Sequence, residues 1–237
     1  MPAALVFGAR NLGRAIARHL ADGGWEIAAF ALTDRSLQRL ASEVEGALTI
    51  RGDARDDADV ARAFATTRER FGSVDLVAVA ISPSTQQGVA GSAILDAPRD
   101  ALARYTDDLL PALFTLLRHG SRVLTEQGGG TYVQITGGSA RRGMAGRAPG
   151  AGAAAASRAM IQSAAAELRD ANVQVALLIV DAIIESDKTR DALASRDPAD
   201  SASEQDVAEA VAYLAAQSPR AWTHELQITP SGDRWVP

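Results

Sequence analysis

The chain has 237 residues, 47% of them hydrophobic, and its formal net charge at pH 7 is −5. This length suits one α/β domain, residues 1–237, with enough apolar residues for a substantial core. An acidic chain lacks the clustered basic face that nucleic-acid binding requires, so we expect no nucleic-acid partner. The sequence contains no cysteine, which excludes disulfides and thiolate chemistry.

Histidine spacing and hydropathy exclude two further classes of function. His19, His119 and His224 fall in unrelated segments without the spacing of metal ligands, so we predict surface or capping histidines and no metal. No apolar stretch is long enough for a signal peptide or a membrane span, which predicts a cytoplasmic protein without a membrane partner.

Apolar runs and amphipathic segments alternate along the chain. The first run, Ala3–Phe7, is continuously apolar and bounded by Gly8, a pattern typical of a strand buried on both faces. The predicted strands are 3–7, 25–32, 47–50, 74–82, 131–136, 173–182 and 222–229. The predicted helices are 11–21, 36–44, 58–71, a long one from after 98 to about 126, an Ala-rich one ending at 168, and 204–216.

This alternation predicts a single-domain, doubly wound Rossmann fold of the α/β class. We expect a mainly parallel, seven-stranded sheet with helices on both faces. In such sheets the ligand crevice lies outside the carboxyl ends of the strands. The loops expected to surround the site follow Phe7, Leu32, Ile50, Val79, Thr136 and Val180.

The order and spacing of the motifs resemble the short-chain dehydrogenase/reductase (SDR) family over nearly the whole chain. The resemblance implies hydride transfer between a nicotinamide and a carbonyl or alcohol. It also implies a catalytic tyrosine, a lysine four residues later that lowers its pKa and holds the cofactor ribose, and a serine thirteen residues earlier. The motifs that carry it are "GARNLGRAIA", "RGDARD", "VDLVAVA", "TYVQITGGSA", "AAAELRDANVQV", "EQDVAEAVAYLAA" and "AWTHELQIT".

The three catalytic positions of the family hold no catalytic side chain here. An ungapped count from Ala164–Leu168 puts the serine position at Gly137, the tyrosine position at Gly150 and the lysine position at Ala154. Glycine and alanine side chains cannot donate, accept or titrate. We therefore predict no catalytic residue of the standard kind.

No shift of register restores the missing residues. The only lysine, Lys188, lies after the sixth strand, and no tyrosine is followed four residues later by lysine; the tyrosines are Tyr105, Tyr132 and Tyr213. Some polar residues lie near the expected site, but we interpret the serine and threonine hydroxyls among them first as loop and helix caps. These residues are Ser82, Ser84, Thr85, Thr136, Ser139 and Arg158.

Three segments around the expected site depart from the family pattern and allow different interpretations. The cluster Arg141, Arg142, Arg147 and Arg158 either holds an anionic ligand or belongs to a solvated loop, and we favour the loop. The glycines of 146–152 either allow close packing at a dimer interface or leave a frayed helix start. The polar segment 185–204 would be a substrate lid in an active relative, and we predict a mobile surface loop there.

The predicted dinucleotide loop lies between the first strand and the first helix. Gly8 and Gly13 are five residues apart, and Asn11 stands where the family has its middle glycine. Arg10 either projects outward, as in some NADP-preferring relatives, or inward into the volume of the pyrophosphate. Asp53 matches the aspartate that the family places beside the adenine. The cofactor-binding residues implied by the resemblance are Gly8, Arg10, Asn11, Leu12, Gly13, Asp53, Ala54 and Ala80.

The end of the second predicted strand bears on the choice of cofactor. An ungapped count from Gly24 places Ala31 and Leu32 where the family has an aspartate for NAD or a basic residue for NADP. Asp34 and Arg35 lie just beyond, and they would serve either preference if the strand runs longer. The resemblance implies that NAD(P), if bound at all, is NADP rather than NAD.

Two functions therefore stay open. One is a non-catalytic or non-standard relative that still binds a dinucleotide. The other is an NAD(P)-dependent oxidoreductase that acts on a carbonyl or alcohol through a rearranged site. The resemblance also implies a homodimer or homotetramer formed through the helices around 102–126 and 154–169, with an intact relative as a possible heteromeric partner.

Overall fold

The computed structural model describes residues 1–82, 93–186 and 189–232. Its strands form a seven-stranded sheet and a separate two-stranded ribbon. In chain order the strands are β1 (Ala3–Phe7), β2 (Glu26–Ala31), β3 (Leu48–Arg51), β4 (Leu76–Val79), β5 (Gly130–Gly137), β6 (Val173–Val180), β7 (Ile183–Ile184), β8 (Ser201–Ala202) and β9 (Glu225–Ile228).

Helices connect nearly all of these strands. They are α1 (Asn11–Asp22), α2 (Asp34–Ala41), α3 (Asp57–Phe71), α4 (Leu110–Glu126), α5 (Ala148–Leu168), α6 (Arg190–Leu193) and α7 (Glu204–Ala215).

The large sheet is parallel throughout and is ordered β3-β2-β1-β4-β5-β6-β9. The chain winds outward in one direction from β1 to β3 and then returns to the other side of β1 with β4. Such a reversal leaves a crevice at the carboxyl end of the sheet, where parallel α/β proteins bind their ligands.

Apolar residues fill both faces of the sheet. On β1, Ala4 and Val6 pack on one face with α1, α2 and α7, while Leu5 and Phe7 pack on the other with α3, α4 and α5. A strand that is covered on both sides has to be apolar at every position, which explains the continuous run in the sequence. The predicted doubly wound fold, with its seven-stranded parallel sheet and helices on both faces, is confirmed.

The predicted long helix from after residue 98 is interrupted before α4. A 3₁₀ turn covers Arg99–Ala101 and a wide π-helical turn covers Arg104–Leu109, in which the Leu110 N–H bonds to the Tyr105 carbonyl. Pro111 follows at the start of α4 and has no N–H to bond the carbonyl four residues earlier. A π turn accommodates such a break in the α-helical ladder.

Two further segments differ from the sequence predictions. α5 begins at Ala148, so Gly150 and Gly152 lie inside a helix rather than in a frayed start. The sequence predicts a mobile surface loop over 185–204, but its described parts contain α6 and β8, and β8 pairs in parallel with β7 just before the segment. Backbone pairing holds the ribbon, since the Glu185 N–H bonds to the Ala202 carbonyl at 2.9 Å.

His119 is buried, so the prediction that all three histidines are surface or capping residues was wrong for this one. Its ring stacks on Phe64, with 6.4 Å between ring centroids, and its Nε2 lies 3.0 Å from a carboxylate oxygen of Asp57. Burial lowers the pKa of His119 below its ordinary value, which favours the neutral imidazole.

Candidate functional site at the carboxyl edge of the sheet

A tight glycine turn joins β1 to α1. Gly8 has φ +100, and a Cβ at this position would lie 2.7 Å from the Ala80 carbonyl oxygen. A Cβ at Gly13 would overlap the Gly8 carbonyl oxygen. The structure therefore brings three of the predicted cofactor-binding residues, Gly8, Gly13 and Ala80, together at the crevice between β1 and β4, where neither glycine has room for a side chain.

The N-terminus of α1 faces this crevice. Its N-cap residue, Arg10, makes no side-chain capping bond, and the first turn holds no acidic residue. Asn11 and Leu12 form that turn, with Leu12 packed against the core. Uncapped N–H groups at a helix start favour an anion such as a phosphate.

The Arg10 side chain crosses the crevice. It is exposed, and its Nη2 donates to the Ser82 hydroxyl at 3.3 Å. Ser82 follows β4, which lies on the opposite side of β1 from β2. The guanidinium thus points towards the β4 loop and away from the end of β2. Ser84 and Thr85 lie outside the described residues.

Arg55 already engages the Asp53 carboxylate. Its Nη2 donates to Asp53 at 2.7 Å, its Nε lies 3.1 Å from both carboxylate oxygens, and its Nη1 donates to Asp108 at 2.6 Å. Hydrogen bonding from Arg55 lowers the pKa of Asp53. Ala54 packs against the core beside it. An adenine at this position would share the carboxylate with Arg55.

Beyond the end of β2, one acidic side chain is paired with an arginine and a second arginine is unpaired within the described residues. The strand ends before Asp34, which begins α2 and pairs with Arg51 at 3.0 Å. Arg35 in the same turn is exposed and forms no ion pair within the described part of the chain. The hydroxyls of Thr33 and Ser36 lie 2.9 Å apart beside it. This corner therefore has one surplus positive charge.

The opposite half of the edge holds the three residues that the sequence count places at the family's catalytic positions. Gly137 ends β5 and is exposed, while Gly150 and Ala154 lie half-buried in the first turns of α5. A Cβ built on Gly150 would lie 3.0 Å from the Tyr105 hydroxyl oxygen. A phenol from another segment therefore stands beside Gly150 at the start of α5.

Glu225 on β9 neutralises much of the predicted arginine cluster. It accepts hydrogen bonds from Arg158 at 2.6 and 2.8 Å, from Gln162 at 2.7 Å and from Arg141 at 3.2 Å. The hydrogen bond from Arg158 is the main cause that lowers the pKa of Glu225, and burial opposes it. The charges of Arg141 and Arg158 are therefore paired within the fold, although Arg141 itself is exposed.

A second ion pair, between Arg142 and Asp181, lies at the end of β6. Asp181 is 7% exposed and lies 3.3 Å from the Arg142 guanidinium and 3.4 Å from the Gln227 amide. Gly138 leaves the room for its carboxylate, because a Cβ there would overlap it. The charge of Arg142 is thus also paired inside the fold.

A groove of about 510 Å³ opens between α1 and the segment after β6. It begins at Asn11 in the glycine turn and continues past Arg14, which pairs with Glu43 at 2.9 Å. Ser186 and Arg196 line its far side. The segment after β6 therefore lines the same groove as Asn11 of the glycine turn. In the described ranges no group of three or more His, Asp or Glu side chains is placed to hold a metal ion.

Three side chains at this edge, Arg55, Glu225 and Tyr105, have contacts that were not predicted from the sequence. Arg55 stands two residues from Asp53, so their pairing was open to prediction from the spacing alone. Glu225 is the one acidic residue of the last predicted strand, 222–229, and a partly buried carboxylate indicates a partner. Tyr105 gave no local signal, because its contact with Gly150 joins distant parts of the chain.

The parallel doubly wound sheet, the strand order and the glycine turn at its reversal define a Rossmann-type nucleotide-binding fold. The chain belongs to the short-chain dehydrogenase/reductase family: residues 6–226 match the family model described as enoyl-(acyl carrier protein) reductase. The resemblance seen in the motifs is thereby confirmed.

Relatives and solved structures agree with this assignment. The chain is 25% identical over 133 residues to the NADH-dependent enoyl-[acyl-carrier-protein] reductase FabI of Synechocystis sp., a match covering 54% of this chain. It spans about half the length of that curated relative, 50%. A short-chain dehydrogenase/reductase from Mycobacterium ulcerans has a TM-score of 0.85 at 19% identity, with 96% of this chain and 88% of that chain covered. A variant of actinorhodin polyketide ketoreductase, solved with NADPH, has a TM-score of 0.84 at 20% identity, with 97% and 96% covered.

Proposed function

We propose that this protein binds NADP(H) at the glycine turn and does not catalyse hydride transfer by the family's serine–tyrosine–lysine mechanism. The observation that carries this is the contrast between the two halves of the carboxyl edge. The turn of Gly8 and Gly13 is closed to side chains and leads into an open helix N-terminus. The positions Gly137, Gly150 and Ala154 offer no group that moves a proton.

The residues of the adenosine half fit a dinucleotide. The N–H groups of Asn11, Leu12 and Gly13 would hold a pyrophosphate, and Arg10 would add a cation on the β4 side. Arg35, with the hydroxyls of Thr33 and Ser36, would hold a 2′-phosphate, because Arg51 already neutralises Asp34. This charge balance favours NADP over NAD. A nicotinamide bound here would supply a hydride only if another group of the chain served the substrate oxygen.

The second candidate is an NAD(P)-dependent oxidoreductase that acts on a carbonyl or alcohol through a rearranged site. The specific observation in its favour is the Tyr105 hydroxyl beside Gly150. The relatives named as enoyl reductase and ketoreductase extend the substrate classes to test to enoyl thioesters and ketones.

We expect NADPH to bind in a fluorescence titration and NADH to bind more weakly. Arg35→Ala removes the proposed 2′-phosphate contact, so it should weaken NADPH binding about tenfold and leave NADH unchanged, since charge-assisted hydrogen bonds contribute about 1.5–3 kcal/mol. Arg220→Ala is the matched control, because Arg220 is also exposed but lies in the loop before β9, at the other end of the sheet. Binding of neither nucleotide at millimolar concentration would refute the proposal.

We also propose self-association through α4 and α5, as the family resemblance implies. Phe114 on α4 is 54% exposed, a large apolar side chain that a second copy of the chain would cover. An intact family member is the alternative partner. None of the described helices is both long and apolar enough to cross a membrane. The location in the cytoplasm stays a prediction from the sequence.

A further inference from the structure

Tyr105 stands where a side chain at position 150 would begin. A Cβ on Gly150 would lie 3.0 Å from the Tyr105 hydroxyl oxygen and 3.3 Å from the ring carbon that carries it. These separations are closer than ordinary van der Waals contact, so the phenol and a side chain at 150 compete for one space. By the family count that space belongs to the catalytic tyrosine.

The π-helical turn before α4 holds Tyr105 in place. The Tyr105 N–H bonds to the Leu102 carbonyl at 2.9 Å, and its own carbonyl accepts the Leu110 N–H. The Arg104 guanidinium lies 5.9 Å from the centroid of the Tyr105 ring, within the range of a cation–π contact. π turns of this kind occur often at functional sites, because they re-aim one side chain without ending the helix.

The hydroxyl of Tyr105 has no protein partner in the described ranges. The residue is half-buried and its hydroxyl oxygen stays accessible to solvent, so a bound molecule can replace water as its partner. Tyr213, on α7 at the opposite face of the sheet, is 57% exposed and serves as the comparison. The Tyr105 hydroxyl lies beside the glycine-rich start of α5 and is thus available to form a hydrogen bond with a bound molecule.

We propose that Tyr105 contacts the nicotinamide half of the dinucleotide, with its hydroxyl bonded to a ribose hydroxyl or carboxamide oxygen. This inference rests on the proposed binding of NADP(H). Tyr105 takes the space of the missing tyrosine from a different segment of the chain, and Gly150 is small because Tyr105 lies against it. The chemistry recognised is an uncharged hydroxyl or carbonyl oxygen.

The Tyr105 contact can be distinguished from the contacts of the adenosine half by comparing the binding of two nucleotides. NADPH carries the nicotinamide half, whereas adenosine 2′,5′-bisphosphate carries only the adenosine half. Tyr105→Phe removes one hydroxyl, so we expect it to weaken NADPH about three- to tenfold and to leave adenosine 2′,5′-bisphosphate unchanged, the range for one hydrogen bond. Tyr213→Phe should change neither affinity. If NADPH binds and Tyr105→Phe does not weaken it, the inference is wrong while the proposed function stands. If the wild type binds neither nucleotide, the proposed function fails and the contact fails with it.

A thermal-stability cycle tests the shared space without any ligand. Gly150→Ala should raise Tm more in a Tyr105→Ala background than in the wild type, because the methyl group meets the phenol only in the latter. Gly152→Ala is the matched control in the same helix, since a Cβ there meets nothing within 4 Å, and it should raise Tm equally in both backgrounds. An equal shift for Gly150→Ala in both backgrounds would show that Tyr105 does not occupy this space.

Discussion

Gly13→Ala should destabilise the protein by about 3 kcal/mol or more, the upper range for adding a methyl group to a packed interior. The added Cβ would overlap the Gly8 carbonyl oxygen, a backbone atom that cannot move without shifting the end of β1. Urea unfolding measures the effect as a lower midpoint at constant slope.

The control for this substitution is the same change where the helix has room. Gly152→Ala on α5 should raise stability by up to about 1 kcal/mol, because alanine has the higher helix propensity and the methyl group meets no neighbour. A loss for Gly13→Ala below about 1 kcal/mol would show that α1 does not approach β1 this closely.

Glu225→Gln should cost about 1–3 kcal/mol at neutral pH. The substitution keeps the shape of the side chain but leaves the Arg158 guanidinium without its carboxylate, and hydrogen bonds to charged groups contribute in this range. Glu167→Gln on α5 removes an exposed carboxylate and should change stability by less than about 0.5 kcal/mol.

The stability gap between the wild type and Glu225→Gln should depend on pH. The folded state lowers the pKa of Glu225 below its ordinary value of 4.5. The contribution of the carboxylate is therefore fully present above pH 4.5 and is lost as the pH falls through the folded-state pKa. Urea midpoints of both proteins across this range measure the gap. A gap that stays constant down to acidic pH would contradict the ion-pair assignment.

The Rossmann fold could be predicted from the sequence because its signals are local. The apolar run Ala3–Phe7 matches β1 at both ends, and Gly8 marks its end because the turn requires φ +100. α3 begins one residue before its predicted start, where Asp56 caps the first turn. Continuous apolar strands separated by amphipathic helices admit few other arrangements.

The features that could not be predicted depend on contacts between distant residues. The two-residue strands β7 and β8 have no periodicity of their own and exist by pairing with each other. Arg141 and Arg158 are paired because β9 brings Glu225 beside α5, and Arg142 is paired because β6 ends at Asp181. Tyr105 has no lysine four residues later, so the sequence assigns it no role, and its place beside Gly150 follows from the π turn.

The direction of the Arg10 side chain bears on whether the proposed site would prefer NADP or NAD. Its guanidinium lies towards Ser82. The side chain that we propose for contact with a 2′-phosphate is instead Arg35 at the start of α2, because Arg51 already pairs with Asp34. The proposed preference for NADP thus rests on α2 rather than on the glycine turn.

The central claim, binding without the family's chemistry, is tested most directly by mixing the protein with NADPH under conditions where the titration shows it to be loaded. Ketones, aldehydes and enoyl thioesters are then added, and the absorbance of the reduced nicotinamide is followed. We predict no oxidation of NADPH above the protein-free rate for any of these substrates. Oxidation that saturates with one substrate and scales with protein concentration would contradict the account and establish an oxidoreductase with a rearranged site.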